Sequence, residues 1–151
     1  MKRPRYRWKC PKCGRRFANA NQWHSCAVQP LEVHFRARDP HLKSLFQRFL
    51  ALARRAGPVV VVPQKSKIAL YASVTFAGVV VKKDHLRVGV MLSRRLSGPE
   101  AARIDAVHRY GPRTIGHLWK VRNRADLDGP VVDWIQEAYQ RAASGEASGR
   151  P

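Results

Sequence analysis

Every cysteine of this 151-residue chain lies in one segment, CPKCGRRFANANQWHSC, from Cys10 to Cys26, together with the first of six histidines, His24. A segment that short cannot bury a core of its own, so a cross-link or a bound ion has to supply its folding energy. Cys10 and Cys13 have the C-x-x-C spacing that lets two thiolates meet one ion from a single tight turn, and Gly14 supplies the permissive backbone for it. His24 and Cys26 complete a candidate set of three sulfurs and one imidazole. Soft thiolates with imidazole in a closed four-ligand shell select zinc over magnesium, calcium or manganese. A shell with no position to spare makes that zinc structural. Residues two apart on a helix point to nearly opposite sides. The pair His24 and Cys26 therefore predicts a hairpin and then a helical turn over NANQW, with Cys26 on the departing chain. Two alternatives stand beside the metal. A Cys10–Cys13 disulfide would leave Cys26 odd and is disfavoured in a reducing compartment, and a thioredoxin-like redox pair wants a βαβ context that the sequence lacks.

The same segment sits in a run of positive charge. The chain has 29 Lys+Arg against 10 Asp+Glu, a net charge of +19 and a pI near 11.2. Such a balance predicts attraction to polyanions, nucleic acid first and anionic membrane second. The competing reading is compositional drift, because Arg clearly outnumbers Lys. Lys2, Arg3, Arg5, Arg7, Lys9, Lys12, Arg15 and Arg16 precede the first acid, with Tyr6, Trp8 and Phe17 among them. An arm of this kind can neutralise phosphates while its rings stack on bases, or its aromatics can simply cover the metal module. No apolar run approaches the ~18 residues of a membrane span. The basic start is followed by no apolar stretch, so a secretory signal is not expected and a cytoplasmic setting is.

Beyond the module the 44% hydrophobic content supports a packed core. After a polar connector, AVQPLEVHFRAR, Asp39-Pro40 reads as N-cap and first helical residue. Leu42, Leu45, Phe46, Phe49, Leu50 and Ala53 then form one apolar helical face ended by Gly57-Pro58. Short β-branched and alternating runs follow: Val59 to Pro63, KIALYA, Val74 to Lys83, and HLRVGVML with Leu86, Val88, Val90 and Leu92 inward. Their short links predict antiparallel neighbours. SRRLSGPEAARIDAVHRYGPR is weakly patterned and reads as loop. TIGHLWKV puts Ile115, His117, Trp119 and Val121 on one face. Asp128 is the expected N-cap of a last helix that buries Val131, Trp134, Ile135, Ala138 and Tyr139. The expected fold is α+β, an antiparallel sheet with helices packed on one face. The organisation is a knuckle with its basic arm at 1–28, the α+β domain at 31–144 and a disordered tail at 145–151.

Among polar residues of the larger domain, Lys65 and Lys67 enter one strand while Arg94 and Arg95 leave another. If those strands are neighbours, the cations line one sheet edge as an anion site; the alternative is a solvated rim. His117 points into the apolar layer, as a hydrogen-bonded core histidine or as a pocket group near Lys65 or Tyr71. Asp126 and Asp128 read as helix caps and Asp84 as a turn residue, and no acidic cluster or nucleophilic triad of an enzyme stands out.

The stretches WKCPKCGRRFA, NQ-x-HSC, GPV after a helix, KSKIA, LSRRL, the HL strand and WIQEAY together resemble a bacterial domain-of-unknown-function family, numbered five-six-five-five, in its version with an N-terminal zinc knuckle. The resemblance implies a small α/β domain, found alone or appended to nuclease-like and transport-associated proteins, with no established activity. It implies Cys10, Cys13, His24 and Cys26 as metal ligands and Lys65, Lys67, Arg94 and His117 as the polar positions of the family core. Trp23 departs from it, standing where relatives often have a small polar residue, and Gly116 stands just before the histidine. The leading expectation is a non-enzymatic, largely sequence-tolerant DNA- or RNA-binding protein with structural zinc. Its contacts would be Arg5, Tyr6, Arg7, Trp8, Lys9, Lys12, Arg15 and Arg16. An enzyme or small-ligand domain with its pocket near Lys65, Lys67, Arg94 and His117 is the alternative, and an adaptor for an acidic protein partner is a third.

Overall fold

The computed structural model describes residues 6–24, 26 and 29–144. Lys2, Arg3 and Arg5 of the basic arm, and the tail 145–151, lie outside the described residues. The chain starts with a two-stranded ribbon, β1 (Trp8–Lys9) against β2 (Arg16–Phe17). The polar connector holds one short helical turn, α1 (Glu32–Phe35). Helix α2 (Pro40–Arg54) begins as its cap signature predicts: the Asp39 carboxylate accepts from the His41 N–H at 2.9 Å, with Pro40 at the first helical position. Leu42, Leu45, Phe46, Phe49, Leu50, Leu52 and Ala53 are buried.

Then come β3 (Val60–Pro63), β4 (Ile68–Tyr71), β5 (Thr75–Val81), β6 (Leu86–Leu92), β7 (Ala106–Gly111) and β8 (Thr114–Val121), and finally α3 (Pro130–Ala143). The six strands form one antiparallel sheet in the order β3-β4-β5-β6-β8-β7. Register makes the two faces explicit. Ile68, Val79 and Val88 lie opposite one another and belong to the core beneath the helices, as do Leu70, Ala77 and Val90. α2 and α3 pack on this inner face, where Trp119 and Trp134 meet edge to face at 5.5 Å. No helix among the described residues is long and apolar enough to cross a membrane.

Three local expectations are corrected. The stretch 93–113, expected as loop, contains a 3₁₀ helix (Gly98–Arg103) and the edge strand β7. No residue of β7 is buried, so the strand has no apolar alternation by which it would be recognised. NANQW is a turn, not a helix: Asn21 has φ 55°, and the Gln22 side-chain oxygen accepts from the Asn19 N–H at 3.3 Å. Asn and Gln side chains that bond local backbone in this way compete with helical hydrogen bonding. Asp128 is not the cap of α3. That position belongs to Gly129 at φ 64°, and Asp128 ends the 3₁₀ helix Arg124–Leu127, whose own cap is the reciprocal pair Asn123 and Asp126.

The link from α2 to β3 turns on Gly57, at φ 155°, where a Cβ would lie 2.5 Å from the Tyr139 hydroxyl. That hydroxyl donates to the Pro58 carbonyl at 2.7 Å, and Tyr139 is fully buried. Gly57→Ala is expected to lower stability by about 2 kcal/mol through strain and displacement of the ring, read from the urea midpoint.

Candidate metal centre

The ribbon's turn from Cys10 is closed by hydrogen bonds from the Gly14 N–H to the Cys10 carbonyl and from the Cys10 N–H to the Arg15 carbonyl, both 2.8 Å. Gly14 takes φ 74°, the conformation that its place after C-x-x-C required. The chain leaves β2 through the Asn19–Gln22 turn and returns to the same spot, so that Cys10, Cys13, His24 and Cys26 offer ligand atoms all within 4.8 Å of one another. The Cys10 and Cys26 sulfurs are 3.7 Å apart, and His24 Nε2 lies 3.4 Å from the Cys13 sulfur and 3.3 Å from that of Cys26. A tetrahedral site with metal–sulfur bonds of ~2.3 Å and a metal–nitrogen bond of ~2.0 Å has edges of ~3.8 and ~3.5 Å. The spacings match such an edge set, and all three thiols are free of disulfides. The group can hold a metal ion.

The surroundings suit that use. His24 Nδ1 lies 2.7 Å from the Gln22 carbonyl, a contact in which Nδ1–H donates and leaves the Nε2 lone pair facing the sulfurs. Its ring stacks on Phe17 at 4.1 Å and meets Trp8 edge-on at 5.9 Å. The N–H groups of Cys13 and Lys12 lower the Cys10 thiol below its ordinary range. Burial pushes the Cys13 thiol up, but hydrogen bonds from the Arg15 backbone and guanidinium, with Cys10 and His24, outweigh it and bring Cys13 down to about 6. Burial raises Cys26, and for His24 the Gln22 carbonyl and the neighbouring thiols overcome burial and raise the imidazole. Without an ion the four groups compete for protons. A bound cation would replace those protons at every ligand.

The module is not a loose appendage. Cys10 and Phe17 form a small core with Val62, Ala69 and Tyr71, the outward side chains of β3 and β4 on the sheet face opposite the helices. The Tyr6 hydroxyl donates to the Ala72 carbonyl at 3.1 Å, and the Gln29 N–H to the Pro63 carbonyl at 2.9 Å.

Of the expected nucleic-acid contacts, Arg7, Lys9, Lys12 and Arg16 are exposed. Arg15 is half-buried and turned to Cys13; Trp8 is a wall of the histidine cage, packed on Phe17 at 5.8 Å; Tyr6 tethers the arm to the sheet; Arg5 lies outside the described residues. Not among the expected contacts is Trp23, which is 79% exposed and stands next to His24. Its only signal was its departure from the family pattern.

Lys65, Lys67, Arg94 and His117 are not brought together. Ile68, next to Lys67, is level with Val79 and Val88, whereas Arg94 leaves β6 beyond Leu92 at the other end of the sheet. Arg94 joins Glu137 and Glu100 at 3.0 and 3.2 Å, and these carboxylates hold it charged. His117 is fully buried: Nε2 accepts from the Leu96 N–H at 3.1 Å, and Nδ1 lies 3.0 Å from the Ile115 carbonyl. It is a core histidine with both nitrogens used.

No curated protein and no solved structure matches the chain. The family model described as Domain of unknown function (DUF5655) matches residues 32–142, starting after the last cysteine and running through the sheet into α3. That match covers well over half of the sequence, and with the sheet and helices described above it shows that the chain belongs to the DUF5655 family.

Proposed function

We propose that this protein is a structural-zinc protein that grips nucleic acid through the face of its metal module and catalyses no reaction. The observation that carries the reading is the rigid presentation of charge. Arg7, Lys9, Lys12 and Arg16 are exposed on a ribbon that the Cys3His group closes, and the first acidic residue in the sequence is Glu32. Thiolate and imidazole donors in a closed shell favour zinc. Phosphates would lie along the cations, and Trp23, the most exposed aromatic ring, would stack on an unpaired base.

The test uses the full chain. Removing residues 1–28 would uncover Val62, Ala69 and Tyr71 and confuse lost binding with lost stability. Metal analysis of purified protein is expected to give about one zinc per chain. Neutralising some four phosphates predicts a plot of log affinity against log salt with slope about −3, flattening by about one unit for each of Lys12→Glu and Arg16→Glu. Affinity for DNA and RNA that is flat across salt, or absent at low salt, overturns the reading. Polyglutamate competing as well as the nucleic acid would favour an adaptor for acidic proteins instead.

A further inference from the structure

Among the described residues, the outer sheet face is only half covered. The metal module occupies β3 and β4, and beside it lies an open depression of about 150 Å³ over β5, β6 and β8. Its floor is the pair Gly78 and Gly89, directly opposite across β5 and β6, continued by Leu118 on β8. One wall is apolar and aromatic. Tyr110 is the extra residue of a bulge in β7, where Arg109 faces Ile115 but Gly111 already faces Thr114. Bulges re-aim side chains, and this one lays the Tyr110 ring over Gly116, 2.8 Å from where a Cβ would be, while leaving the residue 51% exposed. Met91 lines the same side. The other wall is cationic. Lys67 lines the depression with Arg87, and Lys120 is Arg87's partner across to β8. Asp105 pairs with Arg87 at 2.8 Å. Arg87 and Lys120 are like charges opposite each other on one face, and with Asp105 engaged by Arg87 the exposed Lys67 and Lys120 are the cations offered to a ligand.

A flat-bottomed recess with an exposed ring on one side and Lys67 and Arg87 on the other, with Lys120 beyond Arg87, is complementary to a base carrying a phosphate. We infer that this depression seats an unpaired nucleobase of single-stranded nucleic acid, stacked against Tyr110, with its phosphate on Lys67 and Lys120. The site deepens the proposed nucleic-acid function and rests on it, adding a preference for single strands that the cationic ribbon alone does not give. It also assigns a use to Lys67, which lines this recess with Arg87 and Tyr110 and is not grouped with Arg94 and His117.

Gly78→Val tests it in the full, metal-loaded chain. A Cβ at Gly78 meets only the Ile68 carbonyl, at 3.8 Å, an ordinary contact, and valine suits a strand better than glycine, so the variant should fold at least as well. Binding is read by fluorescence anisotropy on a labelled oligothymidylate of about 12 nucleotides and on a duplex of equal length. Gly78→Val and Tyr110→Ala are each expected to lose about fivefold or more in single-strand affinity, with duplex affinity unchanged and Tyr110→Phe close to wild type. A folded Gly78→Val that binds the single strand like wild type overturns the site, as does an equal loss on duplex. Sedimentation showing a wild-type dimer that Gly78→Val separates would give the face to a second copy and also overturn it. If wild type binds neither oligonucleotide at low salt, the broader proposal falls. If wild type binds but the glycine variant is indistinguishable from it, only the recess falls.

Discussion

Cys10→Ser is expected to abolish metal binding and to destabilise the whole chain by several kcal/mol. Structural zinc in small modules contributes apparent binding energies of ~10–16 kcal/mol, and removing one thiolate from a closed shell leaves three donors and an open position. The loss cannot stay local. Cys10 is 4% exposed and sits in the same cluster as Phe17, Val62, Ala69 and Tyr71. Once the ribbon opens, Tyr71, Ala69 and Val62 face water, and burial of side chains of this size contributes ~1–3 kcal/mol each. Two measurements check it: metal content per chain, expected to fall from about one to near zero, and the urea midpoint with and without a chelator. Chelation should lower the wild-type midpoint and leave Cys10→Ser unmoved. A variant of full stability, or one retaining stoichiometric metal, would show that these four residues do not form the centre.

His117→Ala is expected to cost about 4 kcal/mol, summing a large-to-small truncation in the core and an orphaned Leu96 N–H. The same residue gives a pH signature. Burial, with help from the Arg94 and Arg95 charges, holds the His117 imidazole below its ordinary value of 6.5, so the folded chain keeps it neutral where the unfolded chain takes up a proton. The unfolded state then binds more protons, and stability falls as pH drops below about 6.5 while its contribution is complete above that value. The difference in unfolding free energy between wild type and His117→Ala should therefore shrink from pH 7.5 to pH 5.5. Taking that difference cancels the acid sensitivity of the metal ligands, which the two proteins share.

How much of this was legible beforehand depends on what each segment buries. Helix α2 announced itself because Asp39-Pro40 caps a face whose apolar residues all enter the core. Strand β6 was visible because Leu86, Val88, Val90 and Leu92 alternate without exception, and β3 to β5 because they are short β-branched or apolar runs between turns. The Cys3His cluster was visible because thiolates and an imidazole at those separations have few uses other than to hold a metal ion. β7 was hidden because it is an edge with polar residues on both faces. The ends of the sheet were hidden because Lys65, Lys67 and Arg94 carry no mark of which strand end they share with which neighbour. The docking of the ribbon on Ala69 and Tyr71 was hidden for a related reason: a strand with one face on helices and the other on a metal module is buried throughout, so alternation cannot tell which layer each side chain meets.

The hidden strand also gives the sheet an edge poorly suited to polymerising. An open six-stranded sheet ends in rows of unpaired backbone groups that could recruit another chain. At one margin β7 offers His108 and Arg109 and a kink at Tyr110, while at the other the Gln29 N–H and Pro63 close the end of β3. The absence of an apolar stripe that concealed β7 from inspection thus makes it a poor template for amyloid-like stacking, and straightening that kink would be expected to turn a solitary sheet into a sticky one.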